Sequence, residues 1–256
     1  MTLSTVDADR GVATITMDSA HNRNALGIEL ATELRDHVRE CMEAPSIRVV
    51  VIAATGTVFS AGWDLAAEPS DGLVADAVMV ELMEMIRTGP KPVVAKVNGH
   101  VVGGAIGLVA CCDLSFASKV ARFGFGEVRL GLAPTTAAVH CVPKIRLADA
   151  LELFLVGERF SADRAVEVGL INRAVEPERL DHAVDEVAVA LTSGGPIALA
   201  ACKRLARGID GVGPAAYALA AEYNDALVGS PEAMEGIAAF AERRSPSWAR
   251  RASDRP

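Results

Sequence analysis

The chain has 256 residues, a formal net charge of −8 and a sequence pI of about 5.2. Hydrophobic residues make up 51%, enough for one large domain, or one domain with a smaller appendage, around a sizeable core. The acidic balance excludes a basic nucleic-acid stripe as the default expectation. The most apolar run, Val101 to Cys112, is too short for a bilayer span of about 20 residues.

The N-terminus is polar and acidic, unlike a signal peptide, so the expectation is a soluble, cytoplasmic protein. Five cysteines, an odd number with Cys111 and Cys112 adjacent and no C-x-x-C, read as reduced, mostly buried thiols. None of the five histidines shows H-E-x-x-H or clustered spacing, so no metal is expected.

Along the chain, Val12 to Met17 alternates like a strand after a turn at Asp9-Arg10-Gly11. From about Asn24 the spacing of Leu26, Leu30 and Leu34 predicts a helix. Val49 to Ala54 reads as a fully buried strand, and Pro92 to Val97 and Asp113 to Ala117 as two more. Each is followed by polar or Gly-rich punctuation and a helical pattern, which argues an α/β class. The last third is helical. Leu180, Val184, Val187 and Leu191 share a face, and Pro196, Pro214 and Ser230-Pro231 look like helix starts. The expected division is an α/β core over 1–195 and a helical C-terminal region over 196–256.

Three segments have the composition of a site. Phe59 to Leu65, FSAGWDL, follows a buried strand, and its small residues let backbone approach a ligand. Ser60 lacks the G-x-S-x-G of a nucleophile elbow, because position 58 is Val. Lys96 to Leu108 is a strand, a Gly-rich turn and an apolar helix, whose N-terminus offers unpaired N–H groups to an anion. Its glycines do not follow G-x-G-x-x-G, which disfavours a dinucleotide fold. Phe123 to Pro134 carries Glu127 between glycine turns. Most Glu side chains are solvated surface, but one held in an apolar wall has a raised pKa and can shuttle protons.

In order, F-S-A-G-x-D-L, N-G-x-x-x-G-G-A (Asn98 to Ala105), Cys112-Asp113 and F-x-x-x-E-x-x-x-G-x-x-P resemble the crotonase (enoyl-CoA hydratase/isomerase) superfamily. The similarity runs from about Asn22 to the C-terminus. It implies a spiral of β-β-α turns closed by C-terminal helices that build a trimer, often two trimers stacked. It also implies a CoA thioester substrate and no separate cofactor. Arg23 matches a residue contacting the nucleotide part of CoA; Ala61, Asp64 and Leu65 match the adenine and pantetheine path. The backbone N–H groups of Trp63 and Gly104 match the oxyanion hole, and Glu127 the acid/base.

The sequence departs from hydratases of the family at Gly107, where those carry a first glutamate. One carboxylate suffices for a 1,3-proton shift through an enolate, so isomerisation of an enoyl-CoA is the favoured reading. Hydration, thioester hydrolysis and non-catalytic acyl-CoA binding are the alternatives. Trp63, often Ala in the family, is expected to fill part of the acyl pocket. Thr135 and Thr136 read as a helix N-cap in preference to holding a water or substrate hydroxyl, and His140 as a core or interface residue. Glu68, Asp71 and Asp76 sit where some members of the superfamily carry an extra catalytic acid, and loop and helix surface explains them as well. Arg243 and Arg244 are candidate phosphate contacts or mere solubilising charges.

Overall fold

The computed structural model describes residues 2–64, 68–209 and 213–249. An antiparallel hairpin, β1 (Ser4–Asp9) and β2 (Val12–Met17), leads into α1 (Ile28–Glu43). Then β3 (Val49–Ala54), β4 (Val58–Ser60) and α2 (Pro69–Thr88) form one turn of a spiral. A second turn is β5 (Val93–Val97), β6 (His100–Val102) and α3 (Gly104–Cys111). β7 (Leu114–Ser118) and β8 (Arg122–Gly124) follow, then a 3-10 turn at Glu127–Leu130, α4 (Thr135–Cys141) and α5 (Leu147–Val156). β9 (Arg159–Ser161), α6 (Ala162–Glu167), β10 (Arg173–Val175) and α7 (Leu180–Ser193) complete the core. The helices α8 (Pro196–Gly208), α9 (Pro214–Leu227) and α10 (Pro231–Ala241) end it.

Each turn of the spiral contributes one strand to each of two mixed sheets, ordered β1-β2-β3-β5-β7-β10 and β4-β6-β8-β9. β2, β3, β5, β7 and β10 run parallel, as do β4, β6 and β8; β9 closes the smaller sheet antiparallel. Both faces of the central strand β3 are buried, which accounts for its unbroken apolar run. One face packs with α1, α2 and α3 in the main core, and the other with Leu180, Val184 and Ala188 of α7.

Two expectations need correction. The helix predicted from Asn24 begins at Ile28. Asn24 has φ +53, and Leu26 forms a bridge with Trp63 instead, because the apolar Leu26 is recruited by the neighbouring loop. Neither threonine caps α4: Pro134 occupies the N-cap, and the Thr136 hydroxyl donates to Asp76 of α2 at 2.7 Å. The cysteines are all free; Cys202 is exposed and the other four are buried. Among the described residues no single helix is long and apolar enough to cross a membrane.

Candidate active site

The FSAGWD loop is held by its own small polar groups. The buried Ser60 hydroxyl donates to the Asn24 carbonyl at 2.7 Å and accepts the Gly62 N–H at 3.2 Å. The Ala61 N–H donates to the Arg23 carbonyl, and the Leu26 N–H to the Gly62 carbonyl at 2.7 Å. Both functions of the Ser60 hydroxyl are therefore used internally, and it is no nucleophile. Gly62 has φ +83, and a Cβ there would stand 2.6 Å from the Val102 carbonyl oxygen, so only glycine lets this loop press against β6.

On the facing segment, Gly103 (φ +57) turns the chain from β6 into α3, and its N–H bonds the Gly124 carbonyl at 3.0 Å. Gly104 opens α3, so its N–H has no partner within the helix. Among the described residues, neither that N–H nor the N–H of Trp63 bonds a backbone carbonyl. The indole of Trp63 lies over Gly104, with Nε1 2.9 Å from where a Cβ would stand. Crowding at position 104 thus comes first from the protein's own Trp63 ring.

Glu127 begins the 3-10 turn, which ends on the left-handed Gly131. The residue is 9% exposed, and Oε1 lies 2.8 Å from where a Cβ on Gly103 would stand. Oε2 is buried with no hydrogen-bond partner among the described residues. Burial pushes this carboxyl above its ordinary value of 4.5, partly offset by a hydrogen bond from its own backbone N–H. Two adjacent glycines therefore lie between a desolvated carboxyl and an indole.

One turn along α3, Gly107 meets α4. A Cβ there would stand 2.8 Å from Ala137 Cα and 3.3 Å from Met83 Cε, so the position has no room for a side chain. Sequence reasoning identified the missing carboxylate but not Ala137 and Met83, whose contact depends on how α2 and α4 cross α3.

The remaining candidates divide. Asp64 faces the start of α1, its carboxylate 3.5 Å from where a Cβ on Gly27 would stand. Arg23 is exposed at the end of the 3-10 turn Ala20–Asn22, and Ala61 is half-buried beside it. Leu65 lies outside the described residues. Arg244 is bound to Glu235 at 2.7 Å and to Glu242, which makes it a clamp within the C-terminal segment.

Glu68 and Asp71 are exposed at the start of α2. Asp76, Thr136 and His140 line a cavity of about 1350 Å³ between α2, α4 and α8, whose lining includes neither Glu127, Trp63 nor Gly104. There, burial and the nearby Arg207 and Arg87 lower the His140 pKa. Glu127 thus lies outside this cavity.

The two-sheet spiral with its trailing helices is the crotonase fold. The enoyl-CoA hydratase/isomerase family model matches residues 7–251. The crystal structure of an enoyl-CoA hydratase from Mycobacterium smegmatis superposes with a TM-score of 0.90 at 34% identity, over 97% of this chain and 99% of that one. Carnitinyl-CoA dehydratase of Proteus mirabilis is 32% identical, over 88% of this chain and 90% of that protein. A mitochondrial enoyl-CoA hydratase domain-containing protein 3 of Rattus norvegicus is also 32% identical, over 93% of this chain and 81% of its own length. The chain belongs to the enoyl-CoA hydratase/isomerase (crotonase) family, whose substrates are acyl-CoA thioesters.

Proposed function

We propose that this protein isomerises an enoyl-CoA by a proton shuttle on Glu127. The thioester oxygen accepts hydrogen bonds from the Trp63 and Gly104 N–H groups, and the Glu127 carboxylate removes a proton from C2 of a 3-enoyl-CoA. The C2–H electron pair forms a C1–C2 double bond as the carbonyl π pair moves onto the thioester oxygen, giving a dienolate that keeps its C3–C4 double bond. The carbonyl then re-forms, C1–C2 shifts to C2–C3, and the C3–C4 π pair takes up at C4 the proton that Glu127 returns. Two such donors matter because charge develops on that oxygen, and one is worth about 3–4 kcal/mol in comparable sites.

The observation that carries the reading is the single buried carboxyl beside Gly103, with Gly107 filled by Ala137 and Met83. Hydration needs one group to activate water and another to protonate carbon, and position 107 does not supply the second. Arg23, Ala61, Asp64 and Leu65 serve the CoA moiety in this reading. The names of the relatives favour a second reading, hydration or dehydration of a 2-enoyl/3-hydroxyacyl pair. The test is a rate comparison on matched chains: faster conversion of 3-enoyl-CoA than hydration of 2-enoyl-CoA supports isomerisation, and the reverse order rejects it.

A cyclic homotrimer, alone or stacked in pairs, is part of the same proposal. It is supported by exposed apolar side chains on two separate faces, Leu147, Leu151 and Leu155 of α5, and Ile237 and Phe240 of α10. Light scattering at the mass of one chain would reject it.

A further inference from the structure

Trp63 offers more than its backbone to the site. Gly62 is pinned against the Val102 carbonyl and Leu26 is bridged to Trp63, so the indole is thrown across the start of α3. The three atoms nearest to a Cβ on Gly104 all belong to its five-membered ring: Nε1 at 2.9 Å, and Cδ1 and Cε2 at 3.4 Å. The ring packs on the main core while remaining half-buried, and no hydrogen bond of Nε1–H is found among the described residues.

The Gly103–Gly104 floor therefore has a carboxyl on one side and an unused N–H donor on the other. An acyl chain whose thioester oxygen sits at the Gly104 N–H runs its first carbons over this floor. A plain alkyl chain would leave the indole donor desolvated and unbonded, which is unfavourable for a buried polar group.

We infer that Trp63 is a specificity-determining residue whose indole N–H selects acyl groups carrying a hydrogen-bond-accepting oxygen close to the thioester. This rests only on the acyl-CoA part of the proposed function, whether the enzyme isomerises or hydrates, and adds that its acyl substrates carry such an oxygen. The ring also blocks bulk at the same place, so size and polarity are selected together.

The experiment measures dissociation constants of butyryl-CoA and 3-hydroxybutyryl-CoA by calorimetry, in a Glu127→Gln background that prevents turnover. The expected result is a preference for 3-hydroxybutyryl-CoA that falls about fivefold in Trp63→Phe, which keeps an aromatic ring and loses the donor. Trp63→His, which restores an N–H, retains most of the preference. A preference unchanged in Trp63→Phe, or a parental protein that favours butyryl-CoA, overturns the inference. Failure of the parental protein to bind either ester overturns the acyl-CoA reading itself, a distinct result.

Discussion

Ala137 Cα stands 2.8 Å from the Cβ that Gly107 lacks, so α3 and α4 meet backbone to backbone at this point. Restoring a glutamate by Gly107→Glu therefore does not rebuild a two-carboxylate site. The expected outcome is a loss of about 1–3 kcal/mol of stability from overpacking, read by urea denaturation. No gain in hydration of 2-enoyl-CoA accompanies it. A stable variant with raised hydratase activity would show that the helices separate freely.

Glu127→Gln is expected to lower turnover by about 10²–10⁴-fold while CoA-ester binding persists, as measured by steady-state kinetics and calorimetry. It also has a stability signature. The folded-state carboxyl is raised above 4.5, so Glu127 favours folding only where it is protonated. That contribution is complete below 4.5 and is lost as pH rises through the folded-state value. At neutral pH the Gln variant should therefore unfold at higher denaturant than the parent, and the gap should close on acidification. A gap independent of pH would contradict the desolvated carboxyl.

The α/β core was legible because its strands are short apolar runs separated by glycine and proline, as at Val49–Ala54. The segments holding Trp63, Gly104 and Glu127 stood out by composition, but the roles proposed for them came only from the resemblance, since glycine turns and a lone Glu recur in many folds. Leu26 misled because its spacing to Leu30 and Leu34 is helical, whereas its backbone pairs with Trp63 across the fold. Thr136 misled for a similar reason: a local capping pattern lost to a partner 60 positions away, Asp76. Contacts of that range have no signature in local periodicity.

The C-terminal helices are tied to the core by Asp113, which binds Lys203 and Arg207 of α8, each at 2.8 Å. Lys203 also donates to the Ile86 and Lys91 carbonyls, and its side chain is 5% exposed. Removing the acid strands a buried cation, so Asp113→Ala should cost about 3–5 kcal/mol in chemical denaturation. A loss below 1 kcal/mol would mean that α8 is held mainly by its apolar contacts.

Beyond α10, the chain is hooked back by Arg244, whose hydrogen bonds, with one from the Ser247 N–H, hold Glu235 down to about 2. A depressed carboxyl contributes stability above its ordinary value of 4.5 and loses it as pH falls through about 2. Amide exchange over residues 244–249 should therefore stay slow at pH 5 and accelerate, relative to the core, on approaching pH 2. In Arg244→Ala the acceleration should begin nearer the ordinary carboxylate range. Equal behaviour of the two proteins would remove Arg244 from the clamp.

The Ser60 hydroxyl, satisfied on both its donor and acceptor sides, decouples two properties of the residue three places on. The direction of the amide at 63 is settled by the lacing around it, whatever side chain that residue bears. On the proposed reading, substrate preference can thus be retuned by exchanging one ring for another while the main-chain donors keep their aim. A library randomised at this single codon should yield altered acyl selectivity far more often than inactive protein.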